Sequence, residues 1–466
     1  MRNNFRKNIT NTLFLLGAIF FLMIPAIRNG YPMLYSDSAS YIVSGHERVV
    51  PIDRPVVYGF LIRHISLSFS LWFVVFVQAL IAVGLTWFSY KTIGVKNKIA
   101  YTFITCALLG LFSGASNYIS QIMPDIFSAF LIWSVALLLI TDQSKYSWML
   151  WGLALVSTLV HFSNLLTITI LATTLVIFVF ILRKKQKQSS KRIIQLLGLI
   201  VLPWVLLPII NYSFQKEFFI NKSSNIFFTG RLIETGLLNE YFSAYPEASQ
   251  YSLFAYKDNL PEKTWQFAWN GDSPLYEGDC MKEGWGTCWI EKSDEYGRMI
   301  RSVLSKPVLL KHFIKISFKD WQKQIFDFDS GPLTQQNENS AFNEIITRYF
   351  DDASMFKKSG QFNGDLWFTT ESTIQRYFVI VAVLIIAALN LFYREIRSDR
   401  KLLTALVVIV FGLLINALVC SVFSGVLNRY QGRIIWLIPM LSFLYLAGCI
   451  QILKIKKFSY SGKYNL

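Results

Sequence analysis

Apolar stretches alternate with short polar turns along this chain, at 12–27, 69–90, 99–114, 125–141, 147–163, 165–182, 193–212, 377–393, 402–426 and 434–453. Each is about long enough to cross ~30 Å of hydrocarbon as a helix. Such spans must be helical, because lipid offers the backbone no hydrogen-bond partner. The pattern predicts an all-α polytopic membrane protein of about ten transmembrane helices. The turn between 147–163 and 165–182 has almost no polar marking. One long polar segment, 213–376, separates spans seven and eight. The chain therefore divides into an N-terminal transmembrane module (1–212), an inserted domain (213–376) and a C-terminal transmembrane module (377–466).

Lysine and arginine set the orientation. Alternate loops carry Arg2, Arg6 and Lys7; Lys91, Lys96 and Lys98; the run 183–192; Arg394, Arg397, Arg400 and Lys401; and Lys454, Lys456 and Lys457. The opposite loops carry only Arg28, Arg48, Arg54, Arg63, Arg429 and Arg433. Both termini are expected in the cytoplasm of a bacterium, with the insert outside its inner membrane. The basic N-terminus and first apolar stretch lack a small-residue cleavage site, so that stretch reads as a retained anchor.

Composition changes little in this picture. The chain is 53% hydrophobic and its net charge of +16 follows from the anchoring loops, so nucleic acid is not implied as a partner. The insert is mildly acidic, with 22 Asp and Glu against 18 Lys and Arg. Cys106, Cys420 and Cys449 fall in apolar stretches and read as packing residues. Cys280 and Cys288 lie in the insert, where an oxidising compartment permits a disulfide between them. The insert's only histidine, His312, is distant from them in sequence, which disfavours zinc.

Within the insert, helical patterns run near 229–242 and 294–327, the second amphipathic and rich in lysine. The stretch 243–292 carries turn signals such as Asn270-Gly271-Asp272 and reads as irregular, held by Cys280–Cys288 and aromatic packing, within an insert that is α-rich/irregular as a whole. The first loop, 28–66, is too long for a turn. Ser36-Asp37-Ser38 resembles a helix cap, and Pro55 suits a helix start. Two short amphipathic helices on the membrane surface are expected there.

The chemistry-bearing residues gather on the side opposite the basic loops. Asp37 reads either as a helix cap or as a general base facing a membrane-level cavity. Asp125, in Met123-Pro124-Asp125, opens the fourth span and reads either as a dipole-stabilised cap or as a functional acid. His161 closes the fifth span beside Ser163 and Asn164. Two carboxylates and one imidazole could share a proton or hold a divalent cation, although one histidine is a poor metal signature and no metal is assigned. Asn428-Arg429-Tyr430-Gln431-Gly432-Arg433 places two arginines where orientation disfavours positive charge. They suit a lipid phosphate or pyrophosphate, phospholipid headgroups, or pairing with Asp37 or Asp125.

This arrangement resembles the GT-C membrane glycosyltransferases, which use polyprenyl-phosphate-linked sugars. The resemblance covers about six spans, the long first loop with its aspartate, and the second acid at a later outer edge. It is carried by Tyr35-Ser36-Asp37-Ser38-Ala39-Ser40-Tyr41 and by Arg54-Pro55-Val56-Val57-Tyr58-Gly59. Two features depart from that family: Ser-Asp-Ser replaces its usual Asp-Glu or Asp-Gly, and the soluble domain interrupts the spans instead of following them. The resemblance implies a catalytic-base role for Asp37 and a lipid-phosphate contact from Arg429 or Arg433. Asp125 and His161, at the same outer face, are expected to join Asp37 in the chemistry, and Tyr430, Tyr41, Arg54 and Tyr58 to join the arginines in holding substrate. The expected partners are a polyprenyl-phosphate sugar, a glycan or lipid acceptor and membrane lipids. Trp265, Trp269, Tyr276, Trp285 and Trp289 could stack on that glycan, or form a domain core or bilayer belt. A lipid-linked-glycan flippase and a non-catalytic envelope assembly protein are the rival expectations.

Overall fold

The computed structural model describes residues 2–183, 190–329, 333–366 and 371–461. The lysines of the basic run at 184–189 lie outside the described residues. Among those described, every regular element is a helix, and the only β-type pairing is an isolated bridge between Met33 and Gln121.

Five helical segments are long and apolar enough to cross a bilayer: Trp72–Thr92, Ser190–Gln215, Ser372–Phe392, Arg400–Phe423 and Asn428–Leu453, the last joining helix Asn428–Ile435 to helix Leu437–Ser461 across Trp436. Two more are apolar but shorter, Lys98–Phe112 and Ile126–Ile140, and the apolar helix Phe162–Arg183 is 22 residues long. Length and composition together mark five of the ten anticipated spans among the described residues. Polar residues explain the shortening. Ser113 turns extended after Phe112, and Thr141 does the same after Ile140, so these 15-residue helices rise only about 22 Å. The unmarked turn near 160 proves to be Val160–His161, between helices Ser144–Leu159 and Phe162–Arg183.

Both first-loop helices are present, as Ser38–Glu47 and Val57–Ser66. They do not simply rest on a surface. Tyr41, Ile42, Tyr58 and Ile62 are buried in the main core with the long helices. The two helices touch through glycines: a Cβ on Gly45 would lie 2.0 Å from the Gly59 carbonyl oxygen. Gly45→Ala should therefore push the helices apart and cost about 1–3 kcal/mol. A lowered unfolding midpoint of the purified protein would register this, and an unchanged midpoint would refute it.

The insert is not a single unit. Helices Ser224–Glu234, Leu237–Ala244, Trp285–Ser305 and Pro307–Phe326 enclose a second core containing Ile226, Tyr241, Phe267, Trp289 and Tyr296. The later part, 333–366, straps back onto the main core through Phe342, Ile346, Phe350 and Phe356. Polar bonds fix this strap. Gln361 receives the Leu34 N–H at 3.0 Å and donates its own N–H to Asn29 at 2.7 Å. Asp352 accepts from Tyr31 at 2.9 Å and from Ser70 at 2.5 Å.

The helical pattern over 294–327 is two helices, broken at Lys306. Pro307 forces its predecessor out of the helical region, and Lys306 is extended accordingly. The irregular stretch before Trp285 holds the helix Thr264–Trp269 and short 3-10 turns. Cys280 and Cys288 are bonded to each other. Replacing both with serine should lower the stability of this second core by about 2–3 kcal/mol on the chain-entropy argument. Faster proteolysis within 260–300, with the main bundle unaffected, is the expected readout.

Candidate functional site

The geometry of the site starts with two aspartates that do not cap the helices they precede. Before Ser38–Glu47, the turn is closed by Ser38, whose Oγ accepts the Tyr35 N–H at 2.9 Å and donates to the Ile122 carbonyl at 2.8 Å. The Asp37 side chain makes no cap bond. It lies 3.4 Å from an Arg54 nitrogen and 4.0 Å from an Arg429 nitrogen, and is 36% exposed. Asp125 likewise makes no cap bond ahead of Ile126–Ile140. Its carboxylate is 1% exposed, 3.0 Å from Arg429 and 3.3 Å from Arg433.

Helix Asn428–Ile435 places Arg429 and Arg433 four residues apart and hence on one face. The two then diverge in role. Arg433 is fully buried, and its guanidinium also donates to Ser163 Oγ at 2.8 Å and Asn416 Oδ1 at 3.0 Å. Arg429 stacks on the Tyr35 ring at 4.1 Å and reaches open space. Ser163 links Arg433 to His161: the His161 Nδ1 accepts the Ser163 N–H at 3.1 Å, and its contact with Ser163 Oγ is 2.8 Å. With Nδ1 an acceptor, a neutral imidazole carries its proton on Nε2.

Arg54 is gripped by Asp53 at 3.0 and 2.5 Å and lies over the Tyr41 ring at 5.2 Å. Burial disfavours its charge, but Asp37 and Asp53 more than offset this, so its pKa is raised. Burial pushes the Tyr41 hydroxyl far above its ordinary range, against the opposing pull of Arg54, so Tyr41 is a neutral phenol.

These groups border a cavity of about 570 Å³. Asp37, Tyr41, Arg54, His161, Arg429 and Tyr430 line one wall. The insert supplies the opposite wall with Glu234, Lys263, Trp265 and Trp269. Sequence reasoning missed Glu234 and Lys263, which pair at 3.5 Å, and Thr264, which donates to Glu234 at 2.7 Å. A visible signal was Glu234 itself, a lone acid closing the apolar-rich helix Ser224–Glu234. Asp53 also borders a second cavity of about 490 Å³, with Trp285 on its far side.

The expected convergence of Asp37, Asp125, His161 and Arg429 is present, but several anticipated roles change. Asp125 and Arg433 do not border the cavity; they form a buried support beneath it. Tyr58 points elsewhere, its hydroxyl donating to Gln78 at 2.9 Å within the bundle. Trp289 and Tyr276 belong to the second core, with the Trp289 N–H 3.1 Å from the Tyr276 oxygen. Trp265, Trp269 and Trp285 are exposed. Asp125 is taken up by arginines, and among the described residues no group of three or more His, Cys, Asp or Glu is placed to hold a metal ion.

Fold and site together define an all-helical protein whose apolar helices are compatible with multi-pass membrane insertion, with a charged cavity between bundle and insert. Comparisons with protein-family models, curated proteins and solved structures match this chain to none of them.

Proposed function

We propose that this protein is a glycosyltransferase of GT-C type in a bacterial inner membrane, with about ten spans and the insert outside. It would move a sugar from a polyprenyl-phosphate donor to an envelope glycan or lipid acceptor. One observation carries the reading: a partly exposed carboxylate, Asp37, shares a cavity lining with Arg429, which is braced from below by Asp125, itself paired with the buried Arg433. A base for an acceptor hydroxyl and a fork for a phosphate thereby face one space.

In the proposed step the acceptor oxygen attacks the sugar's anomeric carbon. Its proton passes to the Asp37 carboxylate. The bond from the anomeric carbon to the phosphate oxygen breaks, and polyprenyl phosphate leaves with that electron pair. Arg429, with Arg54 beside it, opposes the negative charge that grows on the leaving phosphate. Arg433 and Asp125 are positioning residues. Trp265 and Trp269 offer ring faces to the acceptor glycan. Trp285 lies 5.5 Å from Trp269 and extends that surface toward the second cavity.

Arg429→Gln should weaken binding of a polyprenyl monophosphate by roughly tenfold to a hundredfold, the worth of a charge-assisted pair. A binding titration of the detergent-solubilised protein checks this. The functional test is complementation of a deletion strain with envelope glycans read by mass spectrometry. The wild-type gene should restore a sugar unit that Asp37→Asn, at equal abundance, does not. Restoration by Asp37→Asn would favour a flippase or an assembly protein.

A further inference from the structure

Away from the charged cavity, three helices end around a second basic space. Ser38–Glu47 ends at Arg48, Val57–Ser66 at Leu67 and Ser68, and Ser190–Gln215 at Lys216. Those four are the only non-glycine residues with positive φ among the described residues. Helices commonly end in this left-handed conformation, but on glycine, which has no Cβ to strain. Clustered strain of this kind is a feature of ligand clamps.

The cavity there measures about 630 Å³ and is lined by Arg48, Arg63, His64, Ser68, Leu67 and the Phe60–Phe214 ring pair, whose centroids are 4.8 Å apart. Neither arginine meets a carboxylate among the described residues. Arg63 has only long contacts, 3.5 Å, to the carbonyls of Gly45 and His46. The adjacent acid, Glu47, is engaged instead by Tyr349 and Arg348. His64 uses Nδ1 on the Phe60 carbonyl, which leaves Nε2 free. Cations at helix C-termini are favoured by the helix dipoles. Dipoles do not explain Leu67, which is 74% exposed in a strained conformation, nor the exposed Phe69 beside it.

Position identifies the ligand. Phe214 is the penultimate residue of Ser190–Gln215, and Trp72–Thr92 begins four residues after Ser68; both helices are long and apolar enough to cross a bilayer. The cavity therefore opens where such spans end, at headgroup depth. Exposed Leu67 and Phe69 then face acyl chains, while the arginines face phosphates. We propose that this cavity binds the phosphate of an anionic phospholipid, whose chains lie against Leu67 and Phe69. The same chemistry would accept a free phosphate ester, and the two sources are separable.

The test uses the full chain in nanodiscs of phosphatidylcholine with a minor share of phosphatidylglycerol, released and weighed by native mass spectrometry. The wild type should retain phosphatidylglycerol over phosphatidylcholine by roughly tenfold or more, at about 1 kcal/mol per arginine. Soluble glycerol phosphate should not displace it. Arg48→Gln with Arg63→Gln should abolish the preference, and Arg48→Lys with Arg63→Lys should keep most of it. Unfolding midpoints of both double variants establish that they are folded. Equal retention of the two lipids by the wild type, or an unchanged preference in the folded glutamine variant, would overturn the proposal. Full displacement by glycerol phosphate would also overturn it, because the site would then take free anions. The outcome is independent of whether the protein transfers sugars.

Discussion

Under the proposed glycosyl transfer, Asp37→Asn should cut the rate by roughly 10²- to 10⁴-fold, the usual contribution of a positioned general base. Folding should be almost unaffected. The side chain is partly exposed, its nearest cation, Arg54, is 3.4 Å away, and Arg54 keeps its closer carboxylate, Asp53, at 2.5 Å. Asparagine keeps the shape and can still bond to Arg54, but it cannot take a proton. The loss should therefore fall on turnover, with binding of a polyprenyl monophosphate changed far less. Turnover of the purified variant, measured beside its unfolding midpoint, separates these effects. Normal turnover in a folded Asp37→Asn protein would remove Asp37 from the chemistry.

Asp125→Ala should behave in the opposite way and destabilise the protein by about 3–5 kcal/mol, the cost of stranding a buried charge. Arg433 is fully buried, and its other partners, Ser163, Asn416 and Cys420, are neutral. Without Asp125 nothing buried balances that guanidinium, and Arg429 loses its closest carboxylate as well. The helices Ile126–Ile140 and Asn428–Ile435 should lose their mutual register. Replacing Asp125 with leucine together with Arg433 with methionine should recover much of the stability, since a buried ion pair is often no more stable than an apolar substitute. It should not recover activity, because Arg429 would remain unbraced. Unfolding midpoints and membrane abundance of the three proteins check the ordering. A stable Asp125→Ala protein would mean that Arg433 finds another counter-charge.

The meeting of Asp37, Asp125, His161 and the arginines was legible because the apolar stretches, read as alternating spans, assign their loops to one side. What topology could not tell was how the charges divide. A residue ahead of a helix reads the same whether it caps that helix or reaches across to another. Here Ser38 closes the first turn and frees Asp37, while Asp125 turns inward. Arg429 and Arg433 looked equivalent in sequence, yet one full helical turn separates a cavity wall from a buried support. Tyr58 sits beside Tyr41 in space but faces Gln78. The tryptophans were ambiguous for a similar reason: aromatic density does not say which rings a core will consume. The break at Pro307 was readable and was outweighed by periodicity. The strap of 333–366 carried no local sign, because its anchors are residues about 280 to 330 positions away along the chain.

The most direct measurement supplies purified protein in liposomes with a sugar-labelled polyprenyl phosphate and envelope material as acceptor. Polyprenyl phosphate should appear in step with labelled sugar on the acceptor, and Asp37→Asn should stop both. Intact donor that crosses the bilayer, or remains unchanged beside an active acceptor, would contradict the proposed transfer.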